Sequence, residues 1–175
     1  EKFGKQKSFT SENLYKLITK VNPGFIRVDA DEVTYPAHII VRYEIEKKLI
    51  NNQIKVDEVP ELWDEKMKSL LGVDTKGNFK DGVMQDIHWP EGLFGYFPCY
   101  TLGAIYAAQW FHIMSKEINK IDQSIGQIKL QPIFNWLKKN IWEKGSIFTT
   151  TELVNKATND VGLNTKYYKM HLEKK

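Results

Sequence analysis

Side chains able to take part in acid–base chemistry are crowded into one segment that is otherwise rich in glycine, proline and phenylalanine. Asp86 lies two residues before His88, and a carboxylate near a histidine can fix its tautomer or raise its pKa. Gln85 adjoins them, and Tyr96 and Tyr100 follow with hydroxyls that could donate to a developing oxyanion. Polar groups in an apolar, turn-rich context are costly unless they form hydrogen bonds or carry out chemistry. The segment therefore predicts either a substrate site or a satisfied structural network.

A second pair of polar residues, His38 and Arg42, is spaced four apart on a predicted helix and so projects from one face. The planar guanidinium of Arg42 suits bidentate capture of a carboxylate, and His38 could add a hydrogen bond. The alternative is an amphipathic surface pair, in which Arg42 bridges Glu46 or is simply solvated. Spacing alone favours this surface alternative.

The sequence contains no recognisable ligand set for a metal ion. Asp29, Asp31 and Glu32 precede a helix start, where acidic residues cap the helix and complement its dipole. No suitably spaced histidine accompanies them, and the chain has neither a His-Glu-x-x-His sequence nor paired cysteines. The single Cys99 has no basic neighbour and is interpreted as buried and inert. We therefore predict that this chain by itself holds no metal.

The composition is that of one soluble domain spanning residues 1–175. The net charge is only +3 and the basic residues are scattered, whereas a nucleic-acid interface needs a concentrated basic face. A lone cysteine fits a reducing cytosol, and no secretory signal opens the chain, which does not begin with methionine. Residues 92–115 lack Asp, Glu, Lys and Arg, yet they contain Pro98, Gly103 and Gln109. We therefore expect a buried helix rather than a membrane span, no nucleic-acid partner and a cytoplasmic location.

Helical periodicity and end signals predict an all-α fold of several helices. The expected helices cover residues 11–21, 36–50, 57–71, 98–120, 132–141, 149–161 and a short stretch after Asn164. Residues 82–97 are expected to be irregular, and residues 121–129 to form a connector. Small residues from Gly103 to Ala108 suggest that a neighbouring backbone packs closely on a buried helix.

Three motifs give the sequence a family resemblance. Residues 26–31 match Ile-Arg-x-x-Ala-Asp, His38 and Arg42 match His-x-x-x-Arg, and residues 82–89 match Gly-x-x-Gln-Asp-x-His-Trp. In this order they resemble the carboxypeptidase Taq family of zinc metallocarboxypeptidases, and the similarity extends from about Ser8 to the C-terminus. Residues 95–98, 102–103 and 106–109 are also similar to that family.

The resemblance implies an activity for a longer parent protein. Family members are much longer and bind their metal through a His-Glu-x-x-His helix and a downstream glutamate, neither of which is matched here. The chain therefore resembles the C-terminal part of a larger all-helical metallopeptidase, with zinc or another divalent metal in the parent. Members are cytosolic, commonly homodimeric, and act on peptides with a free C-terminus.

Substrate-binding roles follow from the same resemblance. Arg42 is expected to hold the C-terminal carboxylate of the peptide, because it matches the arginine of the His-x-x-x-Arg motif. His38 and Gln85, which belong to two of the motifs, are expected to contact the substrate beside it.

Catalytic roles are implied for the other motif residues. Asp86 and His88 would lie at the catalytic centre near the scissile carbonyl, and either Tyr96 or Tyr100 would stabilise the tetrahedral intermediate. Without the metal-binding motif, the isolated chain is expected to be inactive. The alternative is a non-catalytic helical module that binds peptides or mediates an interaction.

Overall fold

A computed structural model describes residues 6–174, and this part of the chain is helical, without a β-strand. The all-α prediction is therefore confirmed. Its α-helices are α1 (Ser11–Ile18), α2 (Tyr35–Ile50), α3 (Val59–Leu71), α4 (Pro98–Glu117), α5 (Ile121–Gly126), α6 (Gln131–Asn140), α7 (Thr150–Thr158) and α8 (Lys166–Glu173). Short 3-10 turns lie at Lys7–Phe9, Arg27–Asp29, Val56–Glu58 and Trp142–Lys144.

Two compact units divide the chain, the first ending at Thr101 and the second beginning at Leu102. The first unit contains α1, α2, α3 and the first turn of α4, and the second contains the rest of α4 and the helices that follow. Each unit has a hydrophobic core of its own. The single domain expected from the sequence stays a prediction.

The core of the first unit lies between α2 and α3. Pro36 and Pro60 stand in the first turns of these helices, where a missing N–H costs no hydrogen bond. Helix α2 ends at Asn51, and α3 ends at Gly72, whose φ of 69° is left-handed and favours glycine. The buried side chains of this core are Val41, Ile45, Val59, Trp63, Met67 and Leu71. The C-terminal ends of both helices agree with the sequence prediction, whereas α3 begins at Val59 rather than at residue 57, after a 3-10 turn.

Helix α2 also carries a buried polar stripe. His38, Arg42 and Glu46 lie four residues apart, so they share one side of the helix, and they are 0%, 0% and 6% exposed. Buried polar groups require hydrogen-bond partners. For Arg42 and Glu46 these partners come from the segment of residues 82–97, which connects to α4.

The segment of residues 82–97 contains no helix, as the sequence predicted. Its backbone requires glycine at two points. A Cβ atom at Gly82 would lie 2.4 Å from the carbonyl oxygen of Asn78, and Gly95 has a φ of 77°. Phe97 ends the segment with a side chain that is 1% exposed. The segment is therefore shaped by tight backbone approach and anchored by a buried ring.

The second unit is built around Met114, Ile121, Trp136 and Ala157. Gln109 of α4 is fully buried; its Nε2 donates to the carbonyl of Gly162 at 3.0 Å, and its Oε1 accepts from the backbone N–H of Asn164 at 3.0 Å. Helix α7 begins with the predicted capping box, in which Thr149 and Glu152 each accept from the backbone N–H of the other.

Several predicted boundaries differ from the structure. The predicted connector contains α5, because Ile121 is 4% exposed and packs into the core, so tertiary burial stabilises a short helix there. Helix α4 ends at Glu117 rather than near residue 120, and α1 ends at Ile18 rather than Val21. The cap of α1 is Thr10, which accepts from the N–H of Asn13.

Burial of α4 was predicted wrongly from its composition. Only Ile105, Gln109 and Met114 of this helix are buried, and no described atom lies within 4 Å of a Cβ built on Gly103. Cys99 is exposed rather than buried. Apolar composition predicts that a surface will be covered, but it does not say by what. No helix among residues 6–174 has both the length and the hydropathy that crossing a bilayer requires.

Candidate functional site

Asp86 is the centre of the candidate site, because two arginines from different elements converge on its carboxylate. Arg27, in the turn before α2, donates to Oδ1 from Nε at 3.1 Å and from Nη2 at 2.7 Å. Arg42, on α2, donates from Nε to Oδ2 at 2.5 Å. The side chains of Arg27, Arg42 and Asp86 are 6%, 1% and 13% exposed. These charge-assisted bonds join three separate parts of the chain in a largely buried environment.

The cluster carries one net positive charge, from two guanidinium groups and one carboxylate. Burial acts to raise the pKa of Asp86, but the hydrogen bonds and charges of Arg27 and Arg42 outweigh it and hold that pKa below its usual value. Burial lowers the pKa of Arg42 to about 10, although Asp86 opposes the change. For Arg27, burial acts downward, but the bonds to Asp86 leave its pKa raised. All three groups are therefore charged at neutral pH.

One donor atom of the arginine pair is left without a partner. Arg27 Nη1 donates to the hydroxyl of Tyr35 at 2.8 Å, and Arg42 Nη1 donates to the backbone carbonyl of His38 at 2.8 Å. Arg42 Nη2 is buried and forms no hydrogen bond within the described residues. Asp86 and the His38 carbonyl therefore already occupy Nε and Nη1 of Arg42, the guanidinium that the sequence predicted would bind a carboxylate through two donors. Nη2 of Arg42 is therefore the one guanidinium nitrogen of the pair that has no partner among the described residues.

The surface-pair alternative for His38 and Arg42 was wrong. Both residues are fully buried, and Arg42 pairs with Asp86 rather than with Glu46. Helical spacing could not show this, because the partner that covers the pair lies 44 residues further along the chain.

His38 is neutral and lies one helical turn before Arg42 on the buried polar stripe of α2. Its pKa is lowered to about 4, chiefly by burial and also by the positive charges of Arg42 and Arg27, while Asp86 and the carbonyl of Gly24 act in the opposite direction. Neither ring nitrogen forms a hydrogen bond of normal geometry within the described residues. A buried imidazole without good partners is costly unless a ligand or water completes it.

His88 contacts Tyr100 rather than Asp86. Its Nε2 lies 3.0 Å from the Tyr100 hydroxyl, whereas its Nδ1 lies 3.9 Å from Asp86 Oδ1, beyond hydrogen-bond distance. The carboxylate therefore does not fix the histidine tautomer by a direct bond. The ring centroid of Tyr96 is 5.6 Å from that of His88, so both candidate tyrosines adjoin the imidazole, and only Tyr100 is bonded to it.

The pKa of His88 is lowered overall. Burial is the main cause, and the nearby Arg27 and Arg42 add to it, while Asp86 and Glu46 act to raise the pKa. The upward shift that the sequence suggested for a carboxylate neighbour is therefore outweighed. A neutral imidazole can accept or relay a proton at neutral pH.

Aromatic rings enclose the two arginines. The guanidinium carbon of Arg27 lies 5.1 Å from the ring centroid of Tyr100 and 5.7 Å from that of Phe97. The guanidinium of Arg42 lies 4.7 Å from the Trp63 ring. Such contacts favour the charged guanidinium while excluding water, which strengthens every electrostatic interaction in the cluster.

Gln85 has a positioning role within the chain. Its Oε1 accepts from the backbone N–H of Arg27 at 2.8 Å, and its Nε2 donates to the carbonyl of Phe25 at 2.9 Å. The same Nε2 also donates to the carbonyls of Asp81 and Gly82. Gln85 therefore ties the turn that carries Arg27 to the segment that carries Asp86, and both of its polar atoms are already engaged.

Two residues of the site carried no predicted role. Arg27 was part of the Ile-Arg-x-x-Ala-Asp motif, and the motif itself was the signal that could have found it. Glu46 accepts from the indole N–H of Trp89 at 2.9 Å and from the backbone N–H of Gly95. Glu46 could have been found from its spacing of four from Arg42. That spacing was interpreted only as an ion pair between Arg42 and Glu46.

The acidic residues before α2 act in the local turn. Asp31 Oδ1 accepts from the N–H groups of Val33 and Thr34 at 2.9 and 3.0 Å, and its Oδ2 accepts from the Asn22 N–H at 2.9 Å. Asp31 therefore holds the turn before α2, whose own N-cap residue is Thr34, and the helix-capping interpretation stays a prediction. Within residues 6–174, no three His, Cys, Asp or Glu side chains are grouped so that they could hold a metal ion.

The arrangement combines a buried cationic cluster with a neutral histidine and two tyrosine hydroxyls. Such a cluster favours a carboxylate or an oxyanion as its ligand, since the net charge is positive and Arg42 Nη2 is unpartnered. The His88–Tyr100 pair can hold or move a proton beside that ligand.

The chain belongs to the carboxypeptidase Taq (M32) metallopeptidase family, whose family model matches residues 1–175. The resemblance drawn from the three motifs is therefore confirmed. A thermostable carboxypeptidase 1 of Thermus thermophilus is 42% identical over 164 residues, which are 94% of this chain and 32% of the relative. A carboxypeptidase 1 of Bacillus subtilis is 37% identical over 97% of this chain and 33% of its own length.

A solved structure gives the same result for the fold. The metallocarboxypeptidase 1 of Trypanosoma cruzi superposes with a TM-score of 0.94 and 46% sequence identity, over 98% of this chain and 36% of that one. The chain thus spans about a third of the length of the relatives that it matches.

Proposed function

We propose that this chain is the C-terminal part of a metal-dependent carboxypeptidase and forms one wall of its active site. The observation that carries the proposal is the buried cluster of Arg27, Asp86 and Arg42, which keeps one net positive charge and one unpartnered guanidinium nitrogen, Arg42 Nη2. A carboxypeptidase must distinguish a free C-terminal carboxylate from an internal amide. A desolvated guanidinium distinguishes the two strongly, because an internal amide carries no negative charge with which to pair.

The residues around the cluster take roles that follow from their contacts. Arg42 binds the terminal carboxylate through Nη2, and the backbone carbonyl of His38 supports that guanidinium by accepting from Nη1. Gln85 positions Arg27 rather than contacting the peptide. This division of roles keeps Arg42 as a substrate contact, and it gives His38 and Gln85 supporting roles in place of the contacts that the sequence predicted.

In this proposal, the scissile peptide bond lies near His88. The imidazole and the bonded Tyr100 hydroxyl hold a proton at hydrogen-bond distance from each other, and Tyr96 adjoins them. A tyrosine hydroxyl that donates to the developing oxyanion would stabilise the transition state. Asp86 acts indirectly, because its carboxylate holds Arg27 and Arg42 in position.

The residues of this chain do not fit the family's metal. The sequence lacks His-Glu-x-x-His, and the described residues contain no group of three suitable ligands. We therefore assign metal binding to a part of the parent outside these 175 residues and derive no step of the reaction through the metal. The isolated chain is expected to be inactive.

A non-catalytic peptide-binding module is the competing function. The observation that favours it is the carboxylate-binding cluster itself, which needs no metal and lies within this chain. Binding of a peptide with a free C-terminus would be shared by both functions, so only hydrolysis separates them.

The test measures release of the last amino acid from a blocked dipeptide by the isolated chain and by the full-length parent. We expect turnover only by the metal-loaded parent, and an Arg42→Ala parent should lose roughly tenfold to a hundredfold in kcat/KM, since a hydrogen bond to a charged group contributes about 1.5–3 kcal/mol. Arg42→Lys should recover only part of this loss, because an ammonium cannot bind Asp86, the His38 carbonyl and the ligand in the fixed geometry of a guanidinium.

A C-terminally amidated peptide provides the control. The wild-type parent should strongly prefer the free carboxylate, and Arg42→Ala should reduce this preference. A parent that hydrolyses nothing, while the isolated chain binds the free peptide, would replace the enzyme by the binding module. An unchanged preference in Arg42→Ala would remove Arg42 from the site.

A further inference from the structure

We propose that Glu46 is a positioning residue, which fastens the segment of residues 82–97 to α2 and thereby sets the place of His88. This inference rests on the proposed function for its kinetic consequence but not for its structural content. Glu46 lies one helical turn beyond Arg42 on the buried polar stripe of α2 and is 6% exposed.

Both carboxylate oxygens of Glu46 bind the segment. Oε2 accepts from the indole Nε1–H of Trp89 at 2.9 Å, and Oε1 accepts from the backbone N–H of Gly95. Trp89 directly follows His88, and Gly95 directly precedes Tyr96. One carboxylate therefore holds the chain on both sides of the stretch between the imidazole and the first candidate tyrosine.

The alternatives for these two donors are poor. Gly95 has a left-handed φ of 77°, so its N–H group points to Glu46 only while this backbone conformation is kept. The Trp89 ring packs edge-on against Phe97, with centroids 6.0 Å apart, and Phe97 in turn lies 4.3 Å from His88. A shift of Trp89 would therefore be passed through Phe97 to the imidazole, since packed interiors transmit displacement.

Electrostatics place Glu46 close to the same histidine. The charged groups that act on His88 are Asp86 and Glu46, which raise its pKa, and Arg27 and Arg42, which lower it. The titratable hydroxyl groups of Tyr100 and Tyr96 also adjoin the imidazole. Removing the charge of Glu46 should thus lower the pKa of His88, in addition to any change in position.

The first experiment uses the 175-residue chain and the pair Glu46→Gln and Glu44→Gln. Glu44 lies on the same helix, but it pairs with Lys66, and its side chain is 44% exposed. In nitrogen-15 spectra, Glu46→Gln should shift the Gly95 amide and Trp89 indole resonances. It should also speed exchange at one of these two sites by roughly tenfold to a hundredfold, because a single amide oxygen cannot accept both bonds well. Glu44→Gln should change neither resonance.

A pH titration followed in proton and carbon-13 spectra of the aromatic rings reports on His88 and Phe97. Its pKa should fall in Glu46→Gln and stay in place in Glu44→Gln, and the Phe97 ring resonances should move with it. Unchanged Gly95, Trp89 and His88 signals in a folded Glu46→Gln chain would overturn the proposal. Glu46→Asp, which keeps the charge but shortens the reach, should preserve the His88 pKa better than Glu46→Gln while still loosening Gly95.

The second experiment measures kinetics in the full-length parent. Glu46→Gln should lower kcat per folded molecule by up to about a hundredfold, as expected for misplacement of a reacting group, while KM changes little because Arg42 is untouched. A wild-type parent without peptidase activity would contradict the proposed function, and the spectra would still decide the role of Glu46. An active Glu46→Gln parent with an unchanged kcat would overturn the positioning role.

Discussion

Asp86 is a single carboxylate that two buried cations share, so its removal leaves both arginines uncompensated. Breaking a buried ion pair by removing one partner typically costs about 3–5 kcal/mol. We expect Asp86→Asn to destabilise the chain by about this amount, as measured by denaturant unfolding.

An exposed pair provides the comparison for Asp86. Glu143 lies 3.9 Å from Lys138, and both side chains are more than half exposed. Glu143→Gln should change the free energy of unfolding by less than about 1 kcal/mol. Equal effects of the two substitutions would show that the arginine cluster contributes no more than a surface pair.

The low pKa of His38 makes stability depend on pH. The native pKa is about 4, whereas an unfolded histidine has its ordinary value of 6.5, so the unfolded chain binds the proton more readily. Stability from this group is therefore present above pH 6.5 and is lost as the pH falls toward 4. The lost free energy is about 3 kcal/mol, from 1.36 kcal/mol per pKa unit.

The measurement for His38 is the pH dependence of the unfolding free energy in the wild type and in His38→Asn. His88 and His112 also have lowered pKa values, so they contribute to the slope in both proteins. Between pH 6.5 and 4, the slope of the unfolding free energy against pH should be smaller in His38→Asn, by the amount that corresponds to about one proton taken up on unfolding. Identical slopes would show that His38 titrates normally in the native chain.

At the level of the helices, one substitution has opposite expected effects at two positions. Gly72 ends α3 with a φ of 69°, a conformation that costs alanine about 1–2 kcal/mol. Gly103 lies inside α4 with open space where a Cβ would point. Gly72→Ala should therefore lower the melting temperature.

Gly103→Ala should raise the melting temperature, because alanine is favoured over glycine in a helix by about 0.5–1 kcal/mol. Thermal unfolding followed by circular dichroism measures both variants in the same buffer. A lower melting temperature for Gly103→Ala would mean that a backbone does pack closely on α4, as the small residues of that helix first suggested.

At the level of the whole molecule, the chain exposes much apolar surface. An open cleft of about 450 Å³ in the first unit is lined largely by apolar side chains, among them Val56, Phe79, Met84 and Phe94. Val56 and Met84 are 79% and 67% exposed. Exposed patches of this kind tend to be covered by association, so we expect a dimer or higher oligomer in solution.

Light scattering at several concentrations tests this association. The double substitution Val56→Lys with Met84→Lys should shift the chain toward monomer. Val161→Lys serves as the control, because Val161 is 89% exposed and does not line the cleft. A strictly monomeric wild-type chain at all concentrations would contradict the expectation.

The class of fold, most helix positions and the family could be predicted from the amino-acid sequence. Prolines in first turns, the left-handed glycine after α3 and the Thr149–Glu152 capping box act over three or four residues, so they can be recognised without a structure. The three motifs identified the family for the same reason, since each occupies a short continuous stretch.

The contacts between the residues of the candidate site, in contrast, could be recognised only in the folded chain. Arg42 meets Asp86 across 44 residues and Arg27 meets it across 59, and helical periodicity contains no information about such pairings. Burial of His38, the bond between His88 and Tyr100, and the contacts of Glu46 also depend on how the segment of residues 82–97 packs on α2. A charged residue looks alike in sequence whether it is solvated or buried, because its environment comes from residues far away along the chain.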